Sequence, residues 1–136
     1  MEDQPVVVVI DDSPTIRKIL EVTLKRSGVK VVGAASGVGG LAAIAANQPA
    51  LIFLDVVLPT VSGYQLCKVL KGNPQTRHTP VVMLSGKDGV FDKVRGRLAG
   101  ANDYITKPFA PGSILAMVKK YLPQAAAVRV TAGAAR

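Results

Sequence analysis

Apolar positions change their period repeatedly along the chain, and each change marks an element. Residues 6–10, Val-Val-Val-Val-Ile, are an unbroken β-branched run, the mark of a strand buried on both faces. Ser13-Pro14 follows, an N-cap with proline at the first helical position. Ile16, Ile19, Leu20 and Leu24 then recur at helical spacing, and Gly28 is the natural stop. Val31-Val32 begins a second short strand. Residues 37–40 read as a glycine-rich loop and 41–46 as a small alanine-rich helix. Residues 51–54 form a third buried strand that ends at Asp55. A helix over 62–70 follows a proline turn, and 80–84 is a fourth strand. Residues 89–99 predict a helix weakened by Gly96, 104–106 a short fifth strand, and 114–122 a final helix.

Strands and helices therefore alternate strictly, in five β-α units. Parallel strands need crossover connections, and right-handed crossovers place helices on both faces of the sheet. The pattern predicts a doubly wound, five-stranded parallel α/β domain with five helices. Ligands of such a sheet bind outside the carboxyl ends of its strands. The domain is expected over residues 1–123, and 124–136, rich in Ala with Gly and Thr, as a flexible tail.

Composition narrows the picture without changing it. At 136 residues the chain is long enough for one core without disulfides, and its single cysteine, Cys67, excludes a disulfide framework and a cysteine-based zinc site. The N-terminus is acidic and lacks the basic region of a signal peptide, and no stretch is long enough to span a membrane. A cytoplasmic protein is expected. The net charge of +8 is spread along the chain with few aromatics interleaved, which argues for a basic surface and against nucleic-acid binding.

The chemistry gathers at strand ends. Asp11 and Asp12 end the first strand and Asp55 the third, which are neighbours in such a sheet. Like charges a few ångströms apart repel, and a hard divalent cation with oxygen ligands, Mg²⁺, resolves the conflict. Ser85 ends the fourth strand. Lys107 follows the fifth and precedes Pro108; a cis bond there would turn its ammonium into the acid pocket. Acids, cation, hydroxyl and ammonium around one carboxylate suit a phosphoryl group arriving on Asp55.

Asp11-Asp12, Asp55 with Pro59 and Gly63, Ser85-Gly86, Tyr104 and Lys107-Pro108-Phe109 resemble the receiver domain of two-component response regulators, the CheY-like family, over nearly the whole chain. The resemblance implies the strand order 2-1-3-4-5, the order of CheY and flavodoxin. It implies that Asp55 accepts phosphate from the phosphohistidine of a CheA-like sensor kinase. Asp12 and Asp55 would bind Mg²⁺, with Asp11 acting through water and the Val57 carbonyl as a further ligand. Lys107 would pair with the phosphoryl group, Ser85 turn toward it, and Tyr104 change rotamer with Ser85. The signal would reach an output protein through the face made by the fourth helix, fifth strand and fifth helix. Residues 83–93 resemble single-domain regulators of twitching motility, the PilG/PilH type, which implies a chemotaxis-like pathway acting on type IV pili. A phosphate carrier in a relay, or a phosphorylation-independent adaptor, are the alternatives. Val57 and Lys87 flank the site and are poor groups for holding hydrolytic water, which predicts a long-lived phosphorylated state.

Blander readings fit the residues less well. Residues 37–42 fit the G-x-G-x-x-A dinucleotide pattern with Asp55 near the ribose-acid position, but they follow the second strand and leave Asp11, Asp12, Ser85 and Lys107 without roles. A haloacid-dehalogenase-type phosphatase needs a second aspartate two after its nucleophile, and Asp12 is followed by Ser13 and Pro14. His78 lacks histidine partners and reads as a surface residue, Cys67 as packing.

Overall fold

The computed structural model describes residues 4–86 and 90–123, the side chains of residues 90–92 excepted. The elements are β1 (Val6–Ile10), α1 (Pro14–Lys25), β2 (Lys30–Ala34), α2 (Gly37–Asn47), β3 (Leu51–Asp55), α3 (Gly63–Gly72), β4 (Val81–Ser85), α4 (Val90–Leu98), β5 (Asp103–Thr106) and α5 (Pro111–Tyr121). All strand pairs are parallel, in the order β2-β1-β3-β4-β5. This is the expected doubly wound architecture. The expected tail, and Lys87, lie outside the described residues.

The continuous apolar runs sit where their sequence requires. In β3 and β4 every residue is buried, whereas the edge strand β2 is only partly covered. Alternate residues of each central strand feed opposite layers. Val7, Val9, Phe53 and Leu84 pack with Leu20 and Leu24 of α1 and Ile114 and Val118 of α5. Val8, Ile10, Leu54 and Met83 pack with Ile44 of α2 and Leu66, Cys67 and Leu70 of α3. Burial pushes the Cys67 thiol up to about 11, which makes it a packing group and a poor nucleophile.

One expectation fails. Residues 37–40 are not a loop but the first turn of α2, which runs to Asn47. Ser36 caps it, its hydroxyl accepting from the Gly39 N–H at 3.1 Å. The glycines serve close packing. A Cβ on Gly37 would lie 2.6 Å from Val61 Cγ1, and one on Gly40 2.8 Å from Ile10 Cγ1. That contact lays α2 directly on β1 and accounts for the glycines that imitate a dinucleotide fingerprint. Other differences are at boundaries: β2 is longer than Val31-Val32, and α5 begins at Pro111, whose fixed φ suits the first turn.

Candidate functional site

Register brings the acids together. β1 and β3 pair with Ile10 opposite Leu54, so Asp11 and Asp55 follow side by side at the carboxyl edge. Carboxylate oxygens of Asp11, Asp12 and Asp55 all lie within 4.8 Å of one another. Asp11 is fully buried, Asp55 nearly so, and Asp12 is exposed. Asp11 is held from every side. Its N–H donates to the Ala34 carbonyl, Oδ1 accepts from the Ser13 N–H at 2.9 Å, and its carbonyl accepts from Arg17 Nη1 at 2.7 Å. The sequence reading missed Arg17. Its signal was there: it lies three residues before Leu20 and seven before Leu24, a cation on the buried stripe of α1.

Lys107 supplies the balancing charge. The Lys107–Pro108 bond is cis. The Lys107 ammonium sits 2.7 Å from Asp11 Oδ2 and 3.3 Å from Asp55 Oδ2. The Lys107 backbone N–H donates to the Ser85 carbonyl at 2.6 Å, extending the β4–β5 ladder in which Ser85 faces Thr106. One ammonium is thus shared by two carboxylates, with a third, Asp12, beside them. Burial, then repulsion from Asp11, raises Asp55 from its ordinary 3.8 to about 6, against the Val57 N–H bond and Lys107, which pull it down. At neutral pH Asp55 is still mostly a carboxylate, and a more basic one than usual.

The loop behind Asp55 is built by backbone contact. The Val57 N–H donates to Asp55 Oδ1 at 3.1 Å, while the Val57 side chain is 68% exposed at the mouth of the site. Thr60 has φ 72°, an uncommon conformation for a β-branched residue. Ser62 and Gln65 then form a reciprocal cap on α3. Gly63 donates its N–H to the Val56 carbonyl at 2.8 Å. A Cβ there would collide with the Asp55 carbonyl oxygen and lie 2.9 Å from Val56 Cα. Only glycine lets the start of α3 close on the strand end.

Ser85 is buried, and with Val57, Leu58, Tyr64 and Arg95 it lines a cavity of ≈ 600 Å³ beside the acids. The Arg95 guanidinium lies 4.3 Å from the Tyr64 ring centroid, a link between α4 and α3. Tyr104 is half-buried on β5, where a Cβ on Gly96 of α4 would lie 4.0 Å from its ring. His78 is exposed, as expected.

Three oxygen-donor carboxylates with one exposed member suit a hard cation that keeps several waters, such as Mg²⁺. Asp12 is the member of the cluster open to solvent. Both Asp11 oxygens are already engaged, one by the Ser13 N–H and one by Lys107, which fits a role through water. Among the described residues no helix is long and apolar enough to cross a membrane.

Comparison with known proteins bears on this arrangement directly. The family described as "Response regulator receiver domain" matches residues 7–119. Protein PilG of Pseudomonas aeruginosa is 46% identical over 117 residues, 86% of this chain and 87% of that protein. Among solved structures, a putative response regulator from Chloroflexus aurantiacus superposes with TM-score 0.84 at 37% identity, covering 89% of this chain and 99% of that one. The chemotaxis response regulator CheY4 of Vibrio cholerae superposes with TM-score 0.82 at 30% identity, covering 87% of this chain and 98% of that one. The chain belongs to the response regulator receiver domain family, the receiving module of phosphorelay signalling.

Proposed function

We propose that Asp55 takes a phosphoryl group from the phosphohistidine of a sensor kinase of the CheA-like kind, and that this switches a partner-binding face. The observation that carries the reading is the Lys107 ammonium lodged between Asp11 and Asp55, with Asp12 exposed beside them. In the reaction an Asp55 carboxylate oxygen bonds to phosphorus, the histidine N–P bond breaks, and the imidazole leaves and takes a proton from water. Asp12 and Asp55, with Asp11 through water and the Val57 carbonyl, would hold Mg²⁺. The cation, when bound, supplies charge neutralisation at the phosphoryl oxygens. Lys107 holds a phosphoryl oxygen once the acyl phosphate forms. The buried Ser85 hydroxyl turns toward it, and Tyr104 follows on the neighbouring strand. The affected surface is the α4–β5–α5 face. The protein acts as a switch and not as an enzyme on other substrates, in the cytoplasm, and without nucleic acid or a membrane span.

A motility output, in a chemotaxis-like or type IV pilus pathway, is supported by the 46% identity to PilG, the likeness to a chemotaxis regulator and the character of residues 83–93. The phosphorylated state is long-lived, because exposed Val57 offers attacking water no hydrogen bond.

The test is mass spectrometry after acetyl phosphate with Mg²⁺. One alkali-labile phosphoryl group is expected on Asp55, and none in Asp55→Asn. Labelling that persists in the Asn variant overturns the assignment. In the same assay Val57→Asn should lose the group about tenfold faster, a change of about 1.4 kcal/mol in the barrier; an unchanged rate removes Val57 from the account of lifetime.

A further inference from the structure

Among the described residues, nothing donates a hydrogen bond to the exposed Asp12 carboxylate. Its backbone, by contrast, is gripped on both sides. Before it stands the Asp11–Asp12 peptide, whose carbonyl accepts from Arg17 Nη1 at 2.7 Å. After it stands Ser13. The Ser13 N–H donates to Asp11 Oδ1 at 2.9 Å, its hydroxyl accepts from the Ile16 N–H at 3.3 Å, and its carbonyl accepts from the Arg17 N–H at 3.0 Å. Arg17 therefore holds the chain before Asp12 with its side chain and the chain after it with its own N–H.

The Asp11 carbonyl needs this donor. The Asp11 N–H still donates to the Ala34 carbonyl, but Ser36, next in line after β2, turns away to cap α2. A carbonyl that loses its ladder partner at a strand end takes another. The half-buried Arg17 reaches it beside Gly33 of β2, where a Cβ would lie 3.5 Å from Arg17 Cδ. Charge alone argues against a guanidinium here, because it stands beside acids that suit a cation, and like charges repel. Geometry argues for it. Mg²⁺ demands near-ideal octahedral coordination at short distances, whereas the larger Ca²⁺ accepts irregular arrangements. An exposed carboxylate meets the stricter demand when the backbone that carries it cannot turn.

Resting on the reading of Asp12 as a Mg²⁺ ligand, we infer that Arg17 is a positioning residue for the cation. By fixing the Asp11–Asp12 peptide it holds Asp12 in place for the metal and sets the preference of the site for Mg²⁺ over Ca²⁺.

Calorimetric titration of the full, unphosphorylated chain with Mg²⁺ and, separately, with Ca²⁺ tests this. Arg17→Met keeps an apolar stem on α1 but removes the charge and the donor. It should weaken Mg²⁺ binding at least about tenfold, the usual effect of removing a group that orients a metal ligand, and weaken Ca²⁺ binding clearly less. Relief of repulsion alone would do the opposite and tighten both. A general loosening of the fold would weaken both by the same factor. Lys18→Met removes the neighbouring cation, which is exposed and screened, and should bind both ions like the parent. Arg17→Gln is the milder variant: it stays polar, is too short to reach the Asp11 carbonyl, and should also lower Mg²⁺ affinity relative to Ca²⁺. If Arg17→Met does not fold, an unchanged ratio in Arg17→Gln overturns the inference. So would an Arg17→Met protein that binds Mg²⁺ as tightly as the parent or more so, an equal loss of both ions, or the same loss in Lys18→Met. A parent that binds no Mg²⁺ would overturn the reading of the acids as well.

Discussion

Lys107 lies 2.7 Å from Asp11, and Lys120 lies 2.7 Å from Asp103, so by distance the two ion pairs are alike. Their surroundings differ. Asp103 is a closed account: its carboxylate accepts from Lys120, from the Tyr121 hydroxyl at 2.9 Å and from the Tyr104 N–H, and the lysine side chain is 59% exposed. Burial works to raise the Asp103 carboxyl, but those hydrogen bonds outweigh it and hold it below the usual range. Around Lys107 the balance runs the other way. Asp11 is buried completely, Asp55 shares the same ammonium, and Asp12 stands beside both carboxylates. Burial and Asp11 push Asp55 up to about 6. A short contact therefore does not mark a site. Two buried carboxylates sharing one ammonium do, because an arriving cation or proton relieves their repulsion.

The sharpest way to break this contrast is to disturb how Asp55 is held. Gly63→Ala should destabilise the fold by about 3 kcal/mol, since its methyl meets the backbone of a packed strand that cannot yield. Chemical denaturation reads the loss; a variant as stable as the parent would mean that the start of α3 moves freely.

Next in size is a pH effect of opposite sign at the two pairs. Folded Asp55 binds its proton more tightly than the unfolded chain does. The metal-free protein therefore gains stability as pH falls from about 6 toward 3.8 and loses it as pH rises back through that window. Asp55→Asn should flatten the dependence and stabilise the metal-free protein at neutral pH by about 2 kcal/mol. Asp103 does the reverse: its contribution is present above the ordinary carboxylate range and is lost as pH falls through its lowered value. Melting curves from about pH 2.5 to 7 for both Asn variants separate the two; matching profiles would erase the contrast.

The smallest effect is expected at the exposed pair. Lys120→Met should leave the melting temperature and phosphoryl uptake unchanged, because a solvent-exposed lysine is well screened. A loss of uptake would tie this end of α5 to the site.

Much of this was legible in the sequence. The β-branched run at 6–10 and the block at 51–55 named buried parallel strands, and the acids at their ends fell in place because adjacent strands share a register. Glycine misled the reading at 37–40, where its lack of a side chain serves packing and not bending. The same ambiguity hid the contact of Gly63 on Asp55, since a close approach between distant segments leaves no periodic trace. Arg17 was missed because periodicity counts apolar residues and passes over a cation on their stripe.

The central claim is that Asp11, Asp12 and Asp55 form a cation site in advance of any phosphate. Thermal melting with increasing Mg²⁺ tests it most directly. The parent should gain stability steadily, by about 2.7 kcal/mol at a hundred times the dissociation constant, and Asp12→Ala should gain none. Parent melts that coincide with and without Mg²⁺ would contradict the account.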